Sequence, residues 1–95
     1  MPASVIADVE VTDPDGFEAY RRLAIPTLGK YGGRVRASDD EIAVLEGDWR
    51  PTRLAIVEFD NLERARQWYQ SAEYAEAKPI LHRTARANLI LLEGA

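Results

Sequence analysis

Tyr31–Phe59 reads YGGRVRASDDEIAVLEGDWRPTRLAIVEF, and the fold turns on how this stretch is divided. Tyr31-Gly32-Gly33 ends a helical region, because paired glycines supply the positive φ that a helix terminus followed by a reversal needs. Arg34 to Ala37 then forms a short strand, and Ser38-Asp39-Asp40-Glu41 a surface turn. Ile42 to Leu45 returns as a second short strand or an irregular hairpin arm. Gly47-Asp48 marks another turn before Trp49. Arg53 to Phe59 (RLAIVEF) is the next strand, and its nearly unbroken apolar character predicts cover on both faces.

Working outward, Ser4 to Val11 alternates apolar and polar residues with the period of a half-buried strand. Asp13 is an N-cap for a helix that Pro14 opens, since proline has no N–H to lose at the first helical position. Phe17, Tyr20, Ala24 and Leu28 form one stripe of that helix. Pro26 is expected to kink it or start a new turn. Beyond the central stretch, Asp60 and Glu63 have the spacing of a capping box. Ala65, Trp68 and Tyr69 give the following helix an apolar side. Ser71 caps a further helical piece through Tyr74 and Leu81 that contains Pro79, and Ala87 to Leu92 is the last strand. The order strand, helix, strand, strand, helix, strand predicts an α+β protein, a ferredoxin-like βαββαβ monomer with a four-stranded antiparallel sheet.

Ninety-five residues suit one domain spanning 1–95 with one modest core. The 46% hydrophobic content and two tryptophans argue against disorder. No apolar run approaches the roughly 20 residues of a membrane span. The N-terminal MPASVIADVEV has no basic leader and places Asp8 and Glu10 where a signal peptide is apolar, so a cytoplasmic protein is expected. The absence of cysteine removes disulfides, thiolate catalysis and cysteine metal sites. With 16 acidic against 12 basic residues and a formal charge of −4, the chain is not expected to bind nucleic acid.

Two helices can cover only one face of a four-stranded sheet. In the third strand Leu54 and Ile56 oppose Ala55, Val57 and Phe59, and in the fourth Leu89 and Leu91 oppose Ile90 and Leu92. Both faces are apolar, so one lacks a helix to hide it. Exposed apolar patches of more than a few hundred Å² mark interfaces, and a symmetric homodimer through the sheet face is the commonest arrangement. The competing expectation is that the loop around Gly47 folds over the sheet.

The segments YGGR, VLEGDWRPTRLAIVEF and SAEYAEAKPI resemble the DUF1330 family over Ser4 to Glu93. The resemblance implies a dimeric α+β barrel. It also places the chain in a superfamily that includes antibiotic-biosynthesis monooxygenases, muconolactone isomerase-like enzymes, haem-handling proteins and stress-responsive barrels. The family carries a fold across, and almost no chemistry.

His82 is the single histidine; as a general base it needs a pocket and an orienting acid, with Glu58 or Asp8 available. Glu58 interrupts an apolar strand, so it is paired, with Arg53 or Arg34, or else faces a ligand. Trp49 either walls a small pocket or locks its loop against a dimer partner. Tyr31, Arg34, Tyr74 and His82 are the polar candidates for a cleft between helices and sheet. No metal-ligand spacing is present, and no metal or cofactor is expected. Gly32-Gly33 lacks the strand–loop–helix context of a phosphate site. Two functional readings remain open: a small-molecule-binding protein, enzymatic in the monooxygenase or isomerase manner, or a non-catalytic dimeric structural or regulatory module. The first predicts a pocket of at least roughly 300 Å³; the second predicts a packed interior.

Overall fold

The computed structural model describes residues 1–94. In chain order the elements are β1 (Ala3–Val11), α1 (Pro14–Lys30), β2 (Arg34–Asp39), β3 (Leu54–Phe59), α2 (Leu62–Tyr69), α3 (Ala72–Ala75), α4 (Lys78–Thr84) and β4 (Ala85–Glu93). The strands form one sheet in the order β2-β3-β1-β4, and every neighbouring pair is antiparallel. This is the ferredoxin-like βαββαβ arrangement expected from the order of elements, with α2, α3 and α4 together making the second crossover.

Strand alternation sorts the side chains onto two faces. On one row Val5 lies between Val57 and Leu91, and on the next Ile6 lies between Ile56 and Ile90. The row containing Val5 faces the helices. There Val5, Phe59, Ala24, Leu28, Ala65, Trp68, Tyr74 and Ala77 make one core cluster, and Val9, Phe17, Leu81 and Ala85 a second. A polar thread runs through this core. The Trp68 indole N–H donates to Thr27 Oγ1 at 2.9 Å, and the Thr27 hydroxyl donates to the Ala24 carbonyl at 2.6 Å.

The row containing Ile6 has no helix over it. Ile90 is 60% exposed and Leu92 56%. Ion pairs stand at opposite ends of this open face. Glu58 bridges Arg34 and Arg36 at 3.1 and 3.0 Å, and Arg86 reaches Glu10 at 3.4 Å.

Several local expectations need correction. Helix α1 runs through Pro26 to Lys30 without a break; Pro26 is exposed, while Ala24, Thr27 and Leu28 around it are buried and hold the helix to the core. The cap of α2 is Asn61, not Asp60. The Asn61 side chain accepts from Arg64 N–H at 2.9 Å, whereas Asp60 is drawn to the Arg34 guanidinium at 3.3 Å. Ile42–Leu45 is not a strand. The chain does not turn back along the outer edge of β2, which stays the free edge of the sheet, and residues 40–53 form a long loop instead. Pro79 lies at the start of α4 rather than inside a longer helix, where it costs nothing. The last strand begins two residues earlier than expected, at Ala85.

Candidate functional site

Every residue of β2 is exposed, because the helices cover β3, β1 and β4 and leave the edge strand bare. The space left between α1 and that edge is a cavity of about 230 Å³. Val5, Ala7, Val9, Ala55, Val57 and Leu89 form its floor on the sheet, and Phe17, Tyr20, Ala24, Leu28 and Trp68 its roof. The remaining lining residues, Arg21, Ile25, Val35, Ser38 and Arg53, are exposed or partly so and make the mouth. A larger hollow of about 380 Å³ lies between α1 and α3, but its walls include Arg22, Lys30 and Glu76, all exposed. It is a surface groove.

Two polar features enter the main cavity. The Tyr20 hydroxyl is 2.9 Å from that of Tyr74, and the two rings meet edge-on. Burial pushes both phenols above their ordinary pKa, so both stay protonated at neutral pH and can donate but not abstract a proton. At the mouth, the Arg53 guanidinium lies 5.5 Å from the centre of the Phe17 ring, within cation–π range.

The residues expected to form a site do not line this cavity. His82 is exposed on α4 and makes no side-chain hydrogen bond or ion pair among the described residues. Glu58 is held on the open face by Arg34 and Arg36, not by Arg53, and these partners keep its carboxyl below the usual range. Arg34 also reaches Asp60 and so ties β2 to the end of β3. Tyr31 donates to Glu73 Oε1 at 3.0 Å, and Lys30 stands 3.7 Å from the same carboxylate. That cluster fastens the end of α1 to α3. Trp49 is 59% exposed; its indole N–H donates to Asp8 Oδ2 at 3.3 Å, on the open face. Tyr74 is fully buried and stands behind two lining residues, Tyr20 and Trp68.

Tyr20, Arg53 and Ser38, which line the cavity, were not among the site candidates read from the sequence. One signal was present: Arg53 has the parity of Ala55, Val57 and Phe59, so an arginine is aligned with the face the helices cover. Among the described residues no group of three His, Asp or Glu is placed to hold a metal, and no helix is long and apolar enough to cross a membrane.

The model of one protein family, described as a domain of unknown function (DUF1330), matches residues 2–95. The chain belongs to the DUF1330 family. No curated protein matches it in sequence. Among solved structures, a protein of unknown function from Rhodopseudomonas palustris aligns with TM-score 0.78 at 19% identity, over 99% of this chain and 82% of that one. SnoaB, a cofactor-independent oxygenase from Streptomyces nogalater, aligns with TM-score 0.71 at 12% identity, covering 99% and 93%. A protein from Bacteroides thetaiotaomicron described as a possible oxidoreductase gives TM-score 0.67 at 19% identity, covering 98% and 97%. At these identities the likeness is one of fold. It places this DUF1330 chain among ferredoxin-like α+β proteins.

Proposed function

We propose that this DUF1330 protein binds a small, largely apolar molecule in the cleft between α1 and the sheet. One observation carries the reading: a cavity floored by aliphatic side chains and roofed by Phe17, Tyr20 and Trp68 persists where a packed interior would otherwise stand. Interiors normally fill such space, and an apolar cavity with a few polar groups at its edge is the usual form of a ligand site. The Tyr20 hydroxyl is suited to donate to a ligand carbonyl or hydroxyl. At about 230 Å³ the site is smaller than the size anticipated from sequence, which favours a ligand of one or two fused rings.

The likeness to SnoaB suggests oxygenase-type turnover of such a ligand, and the wider resemblance suggests isomerisation. Both chemistries draw on a base. His82 and Glu58, the two residues proposed for that role, stand outside the lining, and the lining itself offers no carboxylate or imidazole. Binding is therefore the reading the geometry supports best.

The working unit in this proposal is a homodimer joined through the open sheet face. The Ile56–Ile6–Ile90 row and Leu92 supply its apolar centre, and the ion pairs of Glu58 and Glu10 its rim. The loop of residues 40–53 holds Val44, Leu45 and Trp49 exposed, and packing of Trp49 against the partner gives those side chains cover. A filled cavity tests the binding reading. Ala55→Phe, which projects a ring into the floor, should abolish uptake of the neutral aromatic probe 2-naphthamide in equilibrium dialysis. Unchanged uptake would place the probe elsewhere and reject the cleft.

A further inference from the structure

The mouth of the cavity has a charge opposite to that of the molecule. The chain carries a formal charge of −4, yet the lining contains Arg21 and Arg53 and no aspartate or glutamate. Arg21 has a distant partner, Glu18, at 3.8 Å on its own helix. Arg53 has no ion pair or side-chain hydrogen bond among the described residues. On the strands flanking it, Asp8 and Glu10 of β1 and Asp39 of β2 alternate onto the opposite, open face, where the first two border a hollow with Trp49 and Arg86. The Arg53 guanidinium is instead laid over the Phe17 ring, which itself roofs the cavity. A guanidinium fixed by stacking, with its fork of N–H donors unclaimed, is preorganised for a planar anion.

We infer that the cleft selects an anionic aromatic ligand, a planar ring system bearing a carboxylate or enolate, with Arg53 holding the charged group at the mouth. The ring enters between Val57 and Leu89 below and Tyr20 and Trp68 above. The anion stays at the edge, where Arg53 and the Ser38 hydroxyl are both partly open to water, so the charge is paired without full desolvation. Arg53 is then a residue that determines specificity, while the apolar walls supply the affinity common to any aromatic. The inference rests on the cleft being the binding site, and its test separates the two claims.

The probes are 2-naphthoate and its neutral isostere 2-naphthamide, compared by equilibrium dialysis with the unmodified protein at low and at high salt. Naphthoate should bind about tenfold tighter at low salt, the factor one charge-assisted contact typically gives. Raising the salt should shrink that ratio and leave naphthamide unaffected. Arg53→Gln should collapse the ratio of naphthoate to naphthamide affinity towards one, whatever it does to either probe alone, and Arg53→Lys should restore part of that ratio. Equal binding of both probes by the unmodified protein overturns the anion selectivity and leaves the cleft standing, with Arg53 serving only to cover Phe17. Binding of neither probe overturns both claims. The comparison on the unmodified chain decides the question even where a variant fails to fold.

Discussion

Thr27 serves two partners in the core with one oxygen, accepting from Trp68 and donating to the Ala24 carbonyl. Thr27→Val keeps the shape and removes both bonds, leaving the indole N–H buried without an acceptor. That should cost about 1–3 kcal/mol in urea denaturation, and an unchanged midpoint would show that water takes the place of the hydroxyl. Glu58 makes a different kind of prediction. Arg34 and Arg36 depress its pKa below the ordinary 4.5. A depressed carboxylate contributes stability that is fully present above its unfolded value and is lost as pH falls through its folded value. Glu58→Gln should therefore reduce stability at pH 7, and the gap to the parent should close on acidification below about pH 4.5. A gap that persists to pH 2 would mean that Glu58 acts through packing rather than charge. Asp39 and Glu73 are depressed as well, so the difference between parent and variant, not the parent's own acid transition, is the quantity to read.

Among the elements, the reversal after α1 depends on two glycines for two different reasons. Gly32 adopts φ +76°, a left-handed conformation that side chains disfavour. At Gly33 the constraint is space: a Cβ there comes within 2.9 Å of Phe59 Cε1 and 3.3 Å of Leu28 Cβ. Phe59 is fully buried and cannot retreat. Gly33→Ala should thus destabilise by about 1–3 kcal/mol. Gly29, in the last turn of α1, meets nothing within 4 Å, and Gly29→Ala should stabilise by about 0.5–1 kcal/mol through backbone entropy. The same sign for both in thermal melts would refute this account of the turn. The type of most elements was legible because it is written in local signals: the alternation of β1, the stripe of α1, the Asp13 and Ser71 caps. Competition between partners was not legible. Asp60 has the sequence of a cap but is claimed by Arg34, and Ile42–Leu45 has the sequence of a strand but does not pair with the free edge of β2.

For the whole molecule, the βαββαβ order and the two apolar sheet faces were readable from parity alone. The cavity was not, because it is defined by which strand the helices fail to cover. Tyr20 and Val57, read from sequence as apolar packing, line the cavity, while Tyr31 and Tyr74, read as site candidates, lie outside its lining. The open face makes its own prediction. Sedimentation equilibrium at micromolar concentration should give twice the chain mass, and Ile90→Glu, which sets a charge in the middle of the apolar row, should give the monomer. A monomeric parent would reject the sheet-face dimer without touching the cavity.

The central claim is where a ligand sits. Its most direct test is the methyl NMR spectrum of isotopically labelled protein titrated with 2-naphthamide. Binding in the cleft should shift the methyls of Val5, Leu28, Val57 and Leu89 through ring currents and leave those of Ile6, Ile56, Ile90 and Leu92 in place. Shifts confined to the second group would put the probe on the open sheet face and contradict the assignment of the cleft as the site.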